Sequence, residues 1–78
     1  MNTVITVTIN TATNRWSTTT SSNTTIRAFL EEQDIKYANC TVHLDGMPLT
    51  SAALDSTFEA QGVTETCMLA AIVKAANA

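Results

Sequence analysis

Residues 66–74 read Thr66-Cys67-Met68-Leu69-Ala70-Ala71-Ile72-Val73-Lys74. From Cys67 to Val73 every position is apolar, so there is no alternation to say which side faces a core. A strand that is apolar on both faces is usually central and covered twice. The rest of the chain offers one helix, which covers one face. The other face is left for a partner, and this stretch therefore bears on both fold and function.

The segments around it fit a small mixed sheet. Residues 3–9, Thr3-Val4-Ile5-Thr6-Val7-Thr8-Ile9, put Ile5, Val7 and Ile9 on one side and Thr6 and Thr8 on the other, the period of a half-buried strand. Asn10 to Asn14 is turn-like, and Arg15 to Thr20 is a second strand that closes a hairpin. Thr25 is placed to cap a helix that starts at Ile26 and ends near Asp34, with Ile26, Phe29, Leu30 and Gln33 on one face. Cys40 to Leu44 is a third strand with Val42 and Leu44 inward; Asp45-Gly46 is a turn, and Pro48 fits only an edge. Leu54 to Ala60 reads as a helical turn or loop that buries Leu54 and Phe58, and Gln61-Gly62 breaks it.

Composition narrows the function classes. The chain has 78 residues, one domain's worth, with 45% hydrophobic and 14% charged residues. Fifteen threonines favour strands, because a β-branched side chain is stiff at χ1. The net charge is −3, and only Arg15, Arg27, Lys36 and Lys74 are basic, which argues against nucleic acid or an anionic membrane surface as partner. No apolar run approaches a membrane span, and the N-terminus has no signal-peptide pattern, so a cytoplasmic protein is expected. Cys40 and Cys67 read as small buried apolar residues, although a disulfide between them is open on counting alone. Two cysteines and one histidine cannot complete a closed zinc site, and no metal or cofactor is expected.

The order β-β-α-β, a glycine turn, a short element and a last strand resembles the ubiquitin-like β-grasp. Thr25-Ile26-Arg27-Ala28-Phe29-Leu30 resembles the capped helix start of ubiquitin and of the thiamine and molybdopterin sulfur carriers. Val42-His43-Leu44-Asp45-Gly46-Met47-Pro48-Leu49 resembles their third strand and glycine turn, and Leu54 through Gly62-Val63 to Met68 their closing segment. The resemblance implies an α+β fold of four or five strands packed on one helix. It covers a single domain over residues 1–78, with a core at about 3–74 and a short flexible tail at 75–78. Conjugating ubiquitins and sulfur carriers end in Gly-Gly, which threads a narrow channel where a Cβ would clash. This sequence ends Lys74-Ala75-Ala76-Asn77-Ala78 with no glycine after Gly62, so that carboxyl-transfer chemistry is not carried over.

The functional expectation is a non-enzymatic module that binds a protein partner through the outer sheet face. Val4, Thr6, Thr41, His43, Leu69, Ala71 and Val73 are its candidate contacts. By the resemblance, Met68, Ala70 and Ile72 face the helix and Cys67, Leu69, Ala71 and Val73 face out; a shift of one residue exchanges the sets. On the first register, Leu69→Asp weakens partner binding and leaves the fold intact. His43 reads as a partner contact or a solvated surface residue, and Trp16 as core or as an exposed anchor. Asp45 and Asp55 read as a turn former and a cap rather than a catalytic pair; Glu31, Glu32 and Asp34 read as a solvated helix face. Cys67 has no basic neighbour in sequence to make it reactive. The alternative readings are a sulfur-carrier or modifier-like protein acting with an adenylating enzyme, a ubiquitin-like accessory protein of a secretion system, and a homodimer formed through the same face or the edge of the second strand.

Overall fold

The computed structural model describes residues 3–73. Lys74, at the end of the expected core, and the expected 75–78 tail lie outside the described residues. The elements are β1 (Val4–Asn10), β2 (Arg15–Ser21), α1 (Ile26–Glu32), a 3₁₀ turn (Tyr37–Asn39), β3 (Cys40–Leu44), β4 (Met47–Pro48), α2 (Ser51–Leu54) and β5 (Thr66–Val73). They form an α+β fold with one five-stranded sheet in the order β2-β1-β5-β3-β4. The sheet is mixed: β5 runs parallel to β1 and antiparallel to β3, and the two hairpins are antiparallel.

Local chemistry explains most of these elements. The side chain of Thr25 accepts a hydrogen bond from the Ala28 N–H at 3.1 Å, which satisfies one of the four unpaired donors at the start of α1. Ile26, Phe29 and Leu30 form its buried stripe. With only seven residues, α1 depends on this packing to persist. Phe29 meets Phe58 edge to face, with ring centroids 5.4 Å apart. Asp45 and Gly46 both have positive φ, 50° and 87°, the backbone of a two-residue hairpin turn whose twist matches the flanking strands. The helical turn after Pro48 begins earlier than its apolar pattern suggests. Thr50 caps it through a bond from the Ala53 N–H at 3.1 Å, so α2 covers Ser51–Leu54, and Leu54 and Phe58 are buried as expected.

The central position of β5 holds, but the faces differ from the first expectation. Cys67, Leu69 and Ala71 point into the core, and Met68 and Ile72 are exposed on the other side. Leu69 is 1% exposed and lies between Ile9 of β1 and Leu44 of β3, both buried. Pairing with these two neighbours sets the register, because a slip of one residue would take Leu69 out of their row and put exposed Ile72 on the core side. Leu69 and Ala71 are therefore core residues rather than outer-face contacts. Val73 belongs by alternation to the same inward set, yet it is exposed.

These placements reverse the outcome expected for Leu69→Asp, which puts an unpaired charge into the core and unfolds the protein. Leu69→Ala should cost about 2–5 kcal/mol in urea unfolding, and Ile72→Ala under about 1 kcal/mol. Equal losses at the two positions would contradict the register.

Candidate interaction surface

Alternation along the strands places a defined set of side chains on the open face. One row crosses all five strands: Arg15, Asn10, Ala70, His43 and Pro48 are successive register partners. A second row holds Ser17, Thr8 and Met68, and a third holds Thr19, Thr6 and Thr66. Thr41 and Ile72 pair above the first row. Down the middle run Met68, Ala70 and Ile72, with Thr41 and His43 on one side and Thr8 and Asn10 on the other. Met68 and Ile72 are 38% and 54% exposed, so the two ends of this spine are open to solvent.

Polar groups hold the spine in place. The Asn10 side-chain amide donates to the Met68 sulfur at 3.3 Å, and the hydroxyls of Thr8 and Ser17 bond at 2.9 Å. The Asp45 carboxylate accepts the Met68 N–H at 2.9 Å, while the Asp45 N–H donates to the Met68 carbonyl at 2.8 Å. Asp45 is thus a turn residue that also anchors β5, and the sequence offered no sign of the second role. None of the seven acidic residues lies in a strand, so within the strands Arg15 is the one charged residue on this face among the described residues. His43 is half-buried in the first row; its Nδ1 is closed off from solvent and has no hydrogen-bond partner among the described residues.

Of the candidate contacts, Thr6, Thr41 and His43 lie on this face as expected. Val4 also lies on it, but at the far end: it precedes Thr6, the partner of Thr66, by two residues, which puts it roughly 25 Å from Ile72 along the strands. The structure brings Thr41 and His43 together with Met68, Ala70 and Ile72 and leaves Val4 apart.

The opposite side has its own polar cluster, centred on Arg27. Its guanidinium bonds to Asp55 Oδ1 at 2.6 Å, to the Ser51 carbonyl at 3.1 Å and to the Tyr37 hydroxyl at 3.3 Å. The bond to Asp55, then that to Tyr37, raises its pKa further above the ordinary arginine value. The Tyr37 hydroxyl in turn donates to Glu31 at 2.8 Å. Every polar partner here is another structural side chain or carbonyl, and the cluster ties α1 to α2 and the 3₁₀ turn. Asp45 and Asp55 thus have separate partners and form no catalytic pair. Trp16 is half-buried on the core side, where its indole N–H donates to Gln33 at 3.0 Å, closer to the core reading than to an exposed anchor.

Both cysteines are free. Cys40 pairs with Val73, six positions along β5 from Cys67, which separates them by roughly 20 Å and rules out a bridge. Among the described residues no group of three His, Cys, Asp or Glu side chains is placed to hold a metal ion. No helix of the described residues is long and apolar enough to cross a membrane.

The chain matches no protein-family profile and no curated protein sequence. Solved structures do match it. A ubiquitin-like protein from Trypanosoma brucei superposes with a TM-score of 0.74 at 22% identity, over 96% of this chain and 100% of that one. The fold is the ubiquitin-like β-grasp. The ubiquitin-like domain of an Arabidopsis thaliana protein gives a TM-score of 0.75 at 14% identity, over 96% of this chain and 82% of that one. At such identities the likeness shows the β-grasp fold and nothing finer about its use.

Burial pushes the Cys67 thiol up to about 11 from 9.0, with the Asp45 charge adding to the effect. The folded state then holds this proton where the unfolded chain releases it. Stability should fall as pH rises from about 9 to about 11. Urea unfolding across that range should show a shallower fall for Cys67→Ala, and an unchanged slope would contradict the assignment.

Proposed function

We propose that this ubiquitin-like β-grasp domain is a non-catalytic interaction module that binds a protein partner through its outer sheet face. The contact spine is Met68, Ala70 and Ile72 of β5. Thr41 and His43 flank it, and Thr6 belongs to the polar rim. The observation that carries the reading is the coincidence of exposed apolar side chains with the lack of acidic residues in the strands. Charge depletion at the centre of a patch is what marks protein interfaces from ordinary surface. The apolar side chains are also continuous along one strand rather than scattered. His43 fits the same use, since its half-buried side chain stands beside Ala70 in the row that crosses the sheet. The non-enzymatic part of the reading rests on Asp45 and Asp55 being engaged in turn and ion-pair roles and on the high Cys67 pKa, which keeps that thiol protonated at neutral pH. We place the protein in the cytoplasm, where its two free cysteines stay reduced.

The test is affinity capture from the native host, washed first under native and then under denaturing conditions, with mass spectrometry of both fractions. Wild type should retain a partner that denaturant releases, with the bait at unmodified mass. The double variant Met68→Asp/Ile72→Asp should keep its thermal unfolding transition and hold that partner about tenfold or more weakly. Equal retention by the variant would remove the outer face as the site. A bait that gains mass, or stays joined to a protein in denaturant, would favour the carrier or modifier reading instead.

A further inference from the structure

The sheet has two edges, and among the described residues only one of them is protected. The β4 edge is two residues long and contains Pro48, which cannot donate to a further strand. The β2 edge is seven residues long, paired continuously with β1 with no bulge. It contains no proline and no lysine, and its one charge, Arg15, is at the end. A long, unguarded edge is a template for another strand.

The hydrogen-bond phase of this edge is set by its ends. Thr11 N–H donates to the Asn14 carbonyl at 2.8 Å, and Ser22 N–H to the Thr3 carbonyl at 2.7 Å. Bonded pairs alternate in an antiparallel ladder, so Trp16, Thr18 and Thr20 direct their backbone groups toward β1. The C=O of Arg15, the N–H and C=O groups of Ser17 and Thr19, and the N–H of Ser21 therefore point away from the sheet, while the Arg15 N–H donates to the Asn14 side-chain oxygen at 3.0 Å. The Ser21 carbonyl accepts the Thr24 N–H at 3.0 Å and keeps one lone pair.

We infer that β2 pairs antiparallel with β2 of a second copy of this chain, about a two-fold axis through Thr18. In that register Ser17 lies opposite the second copy's Thr19, and Arg15 opposite its Ser21. Ser17 and the second copy's Thr19 meet with both ladder bonds, and at the outer pair the Ser21 N–H meets the second copy's Arg15 carbonyl, an arrangement that a two-fold axis makes reciprocal. No charge meets a like charge, because Arg15 is the only charge in the strand and faces a serine. On the core side Trp16 lies across from the second copy's Thr20, and Thr18 from its own image, an aromatic–β-branched pair and a threonine pair of the kind that stabilise neighbouring strands. This surface is the edge of the sheet, distinct from the face proposed to take a partner, so the two uses are compatible. A single strand pair is a small interface, so the dimer should be concentration-dependent.

Sedimentation over a wide concentration range tests this with charge variants at exposed positions. Wild type should pass from monomer to dimer as concentration rises. Ser17→Lys/Thr19→Lys sets lysine against lysine across the two-fold and should weaken the dimer about tenfold. Ser17→Lys/Thr19→Glu sets lysine against glutamate and should restore it. Both variants should keep the wild-type thermal transition, and Met68→Asp/Ile72→Asp should leave the dimer unchanged. A wild type that stays monomeric at every concentration overturns the inference. So does a dimer indifferent to the lysine pair, one that the glutamate variant fails to restore, or one abolished by the substitutions on the face.

Discussion

The pairing of β5 with β1 on one side and β3 on the other holds this small protein together. Without it the chain is two separate hairpins and a short helix, none of which buries enough surface to persist alone. Leu69 stands at the crossing. Its partners are Ile9 in the parallel ladder and Leu44 in the antiparallel one, and all three belong to the same core as Phe29, Leu30 and Phe58. Asp45 reinforces the join by bonding Met68 from the end of the β3–β4 hairpin with both its carboxylate and its N–H. These bonds occur where β5 begins to contact β3, and they help to fix which residue meets which.

Once that register is set, the two sides of β5 part in character. The inner side carries Cys67, Leu69 and Ala71 against α1 and the loops around Phe58. The outer side carries Met68, Ala70 and Ile72 into a face whose other residues are mostly threonine, serine and asparagine. An apolar spine on such a face is not needed to fold the domain. Threonine at those positions would serve a strand as well, as it does throughout β1 and β2. The seven acidic residues lie in helices, turns and loops, so the negative charge that aids solubility surrounds the sheet without crossing it.

Much of the fold was legible in the sequence because it rests on local rules. The alternation of Ile5, Val7 and Ile9, the Thr25 cap and the Asp45-Gly46 turn each follow from neighbours a few residues away. What could not be read was the orientation of β5. A run with no polar residue has no period, and its register comes from Ile9 and Leu44, more than twenty positions away in the chain. The assignment of Leu69 and Ala71 to the open face failed for that reason. The Arg27 cluster was hidden for a similar one, since Asp55 and Ser51 come to it only after the chain has crossed the sheet. Thr50 was a different case: a threonine ahead of Ser-Ala-Ala-Leu is a cap signal that a search for apolar residues passes over.

The central claim is that the outer side of β5 is where another protein docks, and proximity in the cell tests it most directly. A photo-crosslinking amino acid at position 68 or 72, expressed in the native host and irradiated, should give one discrete higher-mass adduct. The same group at position 32, on the exposed face of α1, should give none. An adduct from position 32 with none from 68 or 72, or equal capture from all three, would contradict the account.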